Sequence, residues 1–144
     1  MRILVSACLL GINCKYNGGN NLNIELLEFL ENHEVVPVCP ELLGKRPVPR
    51  PPVEICDGIV REKDGTSRDA EFRKGAMEGL QIALDKHVDL AVLQSRSPSC
   101  GVNQIYDGTF TGTKRAGRGI FADLLVKEGI KVIDIEDFPD YLMP

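Results

Sequence analysis

The sequence predicts an α/β fold: a single three-layer domain with a mostly parallel sheet of about four to five strands and helices on both faces. Short runs rich in Val, Ile and Leu alternate along the chain with longer segments whose apolar residues recur at helical spacing. Strands that alternate with helices form βαβ units, which build a parallel sheet covered by helices. The 144 residues suffice for one core, so we expect residues 1–144 to form a single domain.

Four apolar runs are the predicted strands of this sheet. Residues 2–7, 88–93 and 130–135 have the composition of strands buried on both faces. Residues 34–39 are also β-branched and apolar. Because Pro37 has no N–H group to donate to a neighbouring strand, this run is predicted to be an edge or irregular strand.

Three segments have the pattern of amphipathic helices. The first has apolar residues on one face at Leu22, Leu26, Leu27 and Leu30. The second runs from about Asp69 to Lys86, and its predicted core face is Phe72, Ala76, Met77, Leu80, Ala83 and Leu84. The third covers residues 119–128 and is closed by Gly129, a residue type that favours helix ends.

The remaining segments are predicted to be turns and loops. Residues 40–53 are rich in proline, which favours an extended path without regular hydrogen bonding. Asp57-Gly58 and Asp64-Gly65 are typical of tight turns and bracket a short hairpin strand. Residues 94–119 read as one long glycine-rich loop, and loops of that length commonly carry function.

Composition and charge exclude several classes of protein. A net charge of -4 provides no field that attracts a phosphate backbone, so nucleic acid is not expected as the main partner. The first apolar run is too short for a signal peptide, and no segment is predicted to enter a membrane. Five cysteines give no even disulfide framework, which indicates reduced thiols and a cytoplasmic protein.

Three of the cysteines follow predicted strands. Cys8 follows the first strand of the sheet, Cys39 ends the second and Cys100 lies seven residues past the third, whereas Cys14 and Cys56 fall within loops. Because the carboxyl ends of parallel strands meet at one edge, we expect these three thiols at the same edge, where ligands bind. Thiolates select zinc, copper(I) and iron-sulfur clusters. Buried apolar packing is the alternative for each cysteine, and the chain has no C-x-x-C pair.

A second interpretation of the first loop is a phosphatase site. Cys8 follows a strand, as the nucleophile of low-molecular-weight tyrosine phosphatases does, and it would attack phosphate. In that loop an arginine stands six residues after the cysteine, whereas here Cys14 occupies the position and Lys15 follows. A lysine does not reproduce the two-oxygen contact of a guanidinium, so this function is the less favoured alternative.

Five sequence blocks resemble the domain of unknown function 523 family. They cover nearly the whole chain and occur in the same order: VSACLLG with KYNG, VCPELLGKRPVPRPPVEI, QSRSPSCG, IYDGTFTG and GRGIFADLLVKEGIKV. The family includes thiouracil desulfidases. The resemblance therefore implies an enzyme, an iron-sulfur-dependent desulfidase that takes sulfur from a small thiolated compound such as a thiopyrimidine. The implied chemistry is non-redox, with the substrate sulfur bound to the open iron of a 4Fe-4S cluster.

The same resemblance implies roles for individual residues. Cys8, Cys39 and Cys100 would be the cluster ligands, and Glu41 and Ser97 would be catalytic, with Ser99 an alternative hydroxyl. The substrate-binding residues implied are Ser99, Tyr106, Asp107, Gly108 and Arg118. The glycines and Arg118 of G-R-G also suit an anion at a helix start or a simple helix cap.

Departures from the family pattern affect the substrate more than the cluster. Lys15 and Asn17 replace an arginine and an aspartate of the family, and Phe121 stands where threonine is common.

A non-catalytic module that binds a metal or cluster is the main alternative function. A structural zinc site closed by Cys14 is another. The sequence leaves the oligomeric state open.

Overall fold

The computed structural model describes residues 1–142, and its main feature is a parallel sheet of four strands. The strands of the chain are β1 (Arg2–Ser6), β2 (Glu34–Val38), β3 (Val53–Cys56), β4 (Ile59–Glu62), β5 (Leu90–Leu93), β6 (Gln104–Tyr106), β7 (Lys114–Ala116) and β8 (Val132–Asp134). The helices are α1 (Ile24–Leu30), α2 (Pro40–Leu43), α3 (Asp69–Asp85), α4 (Ile120–Lys127) and α5 (Phe138–Leu142). Short 3-10 turns cover Ala7–Leu10 and Ile135–Asp137.

The parallel sheet has the strand order β2-β1-β5-β8. Leu4 of β1 pairs with Val36 of β2 on one side and with Ala91 of β5 on the other. The prediction of an edge position for β2 is confirmed, because this strand pairs with β1 alone. Pro37 is exposed there, and its missing N–H group leaves no gap inside the sheet.

Helices cover both faces of the sheet, which confirms the predicted three-layer α/β arrangement. Leu4 and Leu93 point to one face, where α3 and α4 pack against them. Ile3 and Val92 point to the opposite face, which is covered by α1 and α5. This alternation follows from the period of two in a strand, and it makes β1 and β5 apolar on both sides.

Two segments predicted to be irregular contain regular structure. Residues 40–53 begin with α2, where Pro40 occupies the first turn and lacks only an N–H group that the helix does not use. Residues 94–119 contain β6 and β7, which pair as an antiparallel hairpin. The β3–β4 hairpin is present as expected, and Asp57 and Gly58 at its turn have φ values of 50° and 80°.

The apolar face predicted for α3 is wrong in part. Met77 is 56% exposed and Leu84 is 41% exposed, whereas Gly75 and Gly79 are buried. The two glycines face neighbouring elements at very short range: Gly75 lies against the Pro40 carbonyl and Gly79 against the Phe121 ring. A pattern based on large apolar residues therefore misses the stripe on which α3 packs. Leu22 of the first predicted helix likewise precedes α1 and is 48% exposed.

Within residues 1–142, no helix has both the length and the apolar composition needed to cross a lipid bilayer.

Candidate active site

A cavity of about 440 Å³ opens beyond the carboxyl ends of β1, β2 and β5. Cys8, Cys39 and Cys100 all line it, together with Cys14 and Glu41. Three further walls are formed by the proline-rich segment at Pro51 and Pro52, by β3, and by the segment that follows β5. Residues far apart in the sequence therefore meet in one concave site, at the edge where parallel sheets bind ligands.

The Cys8 thiol lies in the 3-10 turn that follows β1. Gly11 ends this turn with a φ of 89°, and its N–H group donates to the Cys8 carbonyl oxygen at 3.2 Å. The Asn21 side chain donates to the Cys8 sulfur at 3.5 Å. The thiol is thus held by the turn on one side and by the segment that leads to α1 on the other.

Cys39 is the residue that precedes α2, with extended backbone angles that turn the chain from β2 into the helix. Cys14, whose thiol is buried, lines the same cavity. Hydrogen bonding from this thiol is the main reason why the pKa of Cys8 is lowered to about 7 and why that of Cys39 is also lowered. Conversely, the pKa of the donor Cys14 is strongly raised.

The segment between β5 and β6 presents Cys100. Ser97 forms a turn here: its Oγ accepts the N–H groups of Ser99 and Cys100, each at 3.0 Å. The Cys100 thiol is buried, and burial raises its pKa above the ordinary value. Charges on Cys8 and Cys39, which line the same cavity, also raise this pKa.

The Glu41 carboxylate lies in the first turn of α2 and lines the cavity. Its Oε1 accepts from Arg50 Nε at 3.0 Å, and Arg50 Nη2 lies 2.9 Å from the same oxygen. Its Oε2 accepts the Ser99 hydroxyl at 3.3 Å. Ser99 is 1% exposed and does not line the cavity, whereas Glu41 does.

The remaining predicted substrate residues do not all reach the cavity. Tyr106 lines it. Asp107 instead accepts the Thr109 N–H at 3.0 Å and hydroxyl at 2.6 Å, which closes a tight turn. The Gly108 N–H donates to Glu54 Oε1 at 3.0 Å, so this turn is tied to β3.

Arg118 lies at a second cavity and pairs with Asp123, with Nη2 and Oδ1 3.0 Å apart. The amides at the start of α4 already have partners: Gly119 donates to Gly101, and Ile120 donates to Pro98. Phe121 and Ala122 both donate to the Ser99 carbonyl oxygen. Of the two interpretations of the G-R-G segment, this geometry favours a cap, and the cap fixes the segment that carries Cys100.

Among residues 1–142, no group of three or more His, Cys, Asp or Glu side chains is arranged to hold a single metal ion. The geometry disfavours the phosphatase interpretation of the first loop. In the Cys8 loop, the amides of Gly11, Cys14 and Lys15 donate to backbone carbonyls. They are therefore not free to encircle a phosphate group.

Sequence reasoning missed Arg50. This residue is 7% exposed, lines the cavity and pairs with Glu41. An arginine with prolines on both sides was the available indication, because a rigid backbone can hold a cation inside a site. Lys15 and Arg96 also line the cavity, and Arg96 has a φ of 60°, which is uncommon outside glycine.

Comparison with known families and proteins shows the family of this chain and two similar proteins. The family described as 2-thiouracil desulfurase matches residues 3–137. The protein YbbK of Bacillus subtilis (strain 168) is 36% identical over 150 residues, which cover 97% of this chain and 99% of YbbK. The solved structure of TudS, a 4Fe-4S-dependent thiouracil desulfidase, superposes with a TM-score of 0.90 at 37% identity. That match covers 96% of this chain and 93% of the TudS chain.

Proposed function

Because this chain belongs to the 2-thiouracil desulfurase family, we propose that it is a desulfidase that uses a 4Fe-4S cluster to remove sulfur from a small thiolated compound, with thiopyrimidines as the leading class. One observation carries the proposal: three thiols from distant segments line a cavity that also contains the Glu41 carboxylate. The five free cysteines fit a protein of the cytoplasm, which is where we place it.

The donor set fits an iron-sulfur cluster. Cys8, Cys39 and Cys100 are free thiols at one cavity, and thiolates are the usual protein ligands of such clusters. When bound by three cysteines, the cluster supplies one open iron as a Lewis acid for the substrate sulfur.

The side chains around the thiols suit the other steps of the reaction. Glu41 acts as the general base that takes a proton from the attacking water, and later as an acid. Both its oxygens already accept hydrogen bonds, from Arg50 and Ser99, so its orientation is fixed before substrate arrives. A carboxylate held in this way loses little entropy when the reaction begins.

Ser97 is suited to orient the substrate. Its oxygen already accepts two backbone N–H groups, so its own hydrogen remains free to donate to the substrate in the cavity that it lines. Part of the cavity wall is apolar, which limits the access of water to the reacting carbon. It consists of Val38, Pro51, Pro52 and Val53. Tyr106 adds an aromatic surface for a flat heterocycle.

The test is anaerobic reconstitution with iron and sulfide, followed by incubation with 2-thiouracil and a panel of related thiolated bases. We expect about four irons per chain and release of sulfide together with the oxygenated base. Glu41→Gln keeps the iron and loses most of the release, by about a hundredfold or more. Glu25→Gln, on the exposed surface of α1, is the matched control and behaves like the wild type.

Two outcomes would contradict the proposal. A chain that takes up no iron excludes the cluster. A chain that holds the cluster but releases sulfide from none of the thiolated bases is a binding module instead of a desulfidase.

A further inference from the structure

The Arg50 guanidinium joins three segments at the cavity. Besides the two contacts with Glu41, Nη2 donates to the Cys14 carbonyl oxygen at 2.9 Å and Nη1 donates to the Pro47 carbonyl oxygen at 3.1 Å. Its backbone N–H donates to the Tyr16 carbonyl oxygen at 2.7 Å. One side chain thus connects the start of α2, the proline-rich segment and the loop that contains Cys14.

Burial of a cation costs less free energy when its donors are satisfied, because removal of charge from water is costly. The Arg50 side chain is 3% exposed and that of Glu41 is 15% exposed. All three nitrogens of the guanidinium have an acceptor within 3.1 Å. The planar fork of arginine matches these fixed directions, and the single ammonium of lysine does not.

The pairing divides the two oxygens of Glu41 between different partners. Arg50 occupies Oε1 through two nitrogens, whereas Oε2 faces the Ser99 hydroxyl. The carboxylate therefore has one oxygen held by a fixed cation and one oxygen with a single, weaker contact at 3.3 Å. Only the second oxygen is left to exchange a proton without breaking the ion pair.

We infer that Arg50 is a positioning residue: it holds Glu41 Oε1 so that Oε2 alone serves the reaction, and it holds the Cys14 loop against the cavity. This inference rests on the function proposed above. Arg50 acts through Glu41 and contacts neither the substrate nor the cluster in this scheme. Its loss should therefore lower kcat more than it raises KM, and leave the cluster in place.

Arg46 provides a matched control within the same segment. Its side chain is 8% exposed and pairs with Glu62, at 3.6 Å between Nη2 and Oε2. Arg46 is thus a buried arginine of an ion pair that does not include Glu41. Substitutions at Arg46 report the general cost of losing a buried cation from this part of the chain.

The experiment compares Arg50→Lys, Arg50→Ala and the same two changes at Arg46, each loaded with the cluster. We expect Arg50→Lys to lower kcat at least about tenfold with KM within about threefold of wild type and iron content unchanged. Added guanidinium should restore part of kcat in Arg50→Ala and none in Arg46→Ala. If Arg50→Ala does not fold, kcat of Arg50→Lys decides the question.

A second measurement uses the protein without its cluster and without substrate. The free energy of unfolding is compared for Arg50→Lys, Glu41→Gln and the double variant. We expect the loss in the double variant to be smaller than the sum of the two single losses, because the two side chains act as one unit.

The outcomes distinguish failure of the proposed function from failure of the inference about Arg50. If the wild-type enzyme releases no sulfide from any thiolated base, the proposed function fails, while a non-additive unfolding cycle still supports the pairing. The inference is overturned if Arg50→Lys keeps kcat within about twofold, if guanidinium rescues both alanine variants equally, or if the unfolding losses simply add.

Discussion

Gly75 of α3 lies directly beneath Pro40 of α2, so close that a Cβ at position 75 would overlap the Pro40 carbonyl oxygen. The α2 helix starts immediately after Cys39 and carries Glu41. We expect Gly75→Ala to push α2 away and to lower the free energy of unfolding by about 1–3 kcal/mol. Denaturant unfolding measures this loss.

Lys74→Ala is the control for Gly75→Ala, because Lys74 is exposed on the same turn of α3 and makes no such contact. The displacement of α2 should also reduce the iron that the chain retains after reconstitution. A Gly75→Ala protein with wild-type stability and wild-type iron content would contradict the close packing.

The proposed ligands predict a simple pattern of iron binding. The wild-type chain should bind about four irons. Each of three variants should lose most of this iron, because each lacks one of the three thiolates: Cys8→Ser, Cys39→Ser and Cys100→Ser. Cys56→Ser is the matched control. Cys56 lies at the end of β3, donates to the Gly108 carbonyl oxygen at 3.3 Å and does not line the cavity. Full iron content in any of the first three variants would remove that cysteine from the ligand set.

The two serines of the Cys100 segment should differ in their effects. Ser97→Ala leaves the N–H groups of Ser99 and Cys100 without their acceptor, which should lower the free energy of unfolding by about 1–2 kcal/mol and weaken retention of iron. Ser99→Ala removes only the hydroxyl that contacts Glu41, so iron content should stay at the wild-type level while kcat falls. Equal iron retention in both variants would argue against the Ser97 turn.

The stability of the cluster-free protein should depend on pH through Asp134. Burial raises the pKa of Asp134 above its ordinary value, so the folded state binds more protons than the unfolded state between the two pKa values. The contribution of this carboxyl to stability therefore falls as pH rises through that window and is constant above it. Asp134→Asn does not titrate and keeps an oxygen for the Glu136 N–H. Its stability relative to the wild type should therefore increase across the window.

Asp123→Asn is a control for which the change of stability with pH should have the opposite sign. The Lys127 ammonium, followed by Arg118, lowers the pKa of Asp123, so this carboxylate stabilises the fold above its ordinary pKa. The pair is partly exposed, and the variant should lose only about 0.3–0.5 kcal/mol near neutral pH. That loss should disappear as pH falls through the folded pKa. Urea unfolding from about pH 3 to about pH 7 measures both variants.

The layers of the fold were predictable because strands and helices have different apolar periods. β5 is a short, fully apolar run and β1 is apolar from Ile3 to Val5, and their positions in the chain put them inside a parallel sheet. The packing surface of α3 was not predictable in the same way. It consists partly of Gly75 and Gly79, residues with no apolar side chain to mark the face, while the exposed Met77 imitates a core position.

The candidate site was predictable to the extent that it depends on topology. Three cysteines that each follow a parallel strand must lie near one edge, whatever the details of the loops. The partners of Glu41 were beyond this reasoning, because they depend on how the proline-rich segment folds back. The position of Arg118 at a second cavity, beside α4, was also beyond this reasoning. The amides at the start of α4 donate to carbonyls of residues 98–101, and this pairing depends on how that segment folds back.

The capping of α4 by the Cys100 segment has a consequence for how the protein matures. A ribosome-bound chain that has emerged only as far as β5 offers two of the proposed ligand thiols and lacks the third. The segment with the third thiol is held by the Ser97 turn and also by the amides of residues 119–122, which come later in the chain. On the proposed ligand set, the complete set of thiols in this arrangement therefore exists only in a chain that has been synthesised through the start of α4.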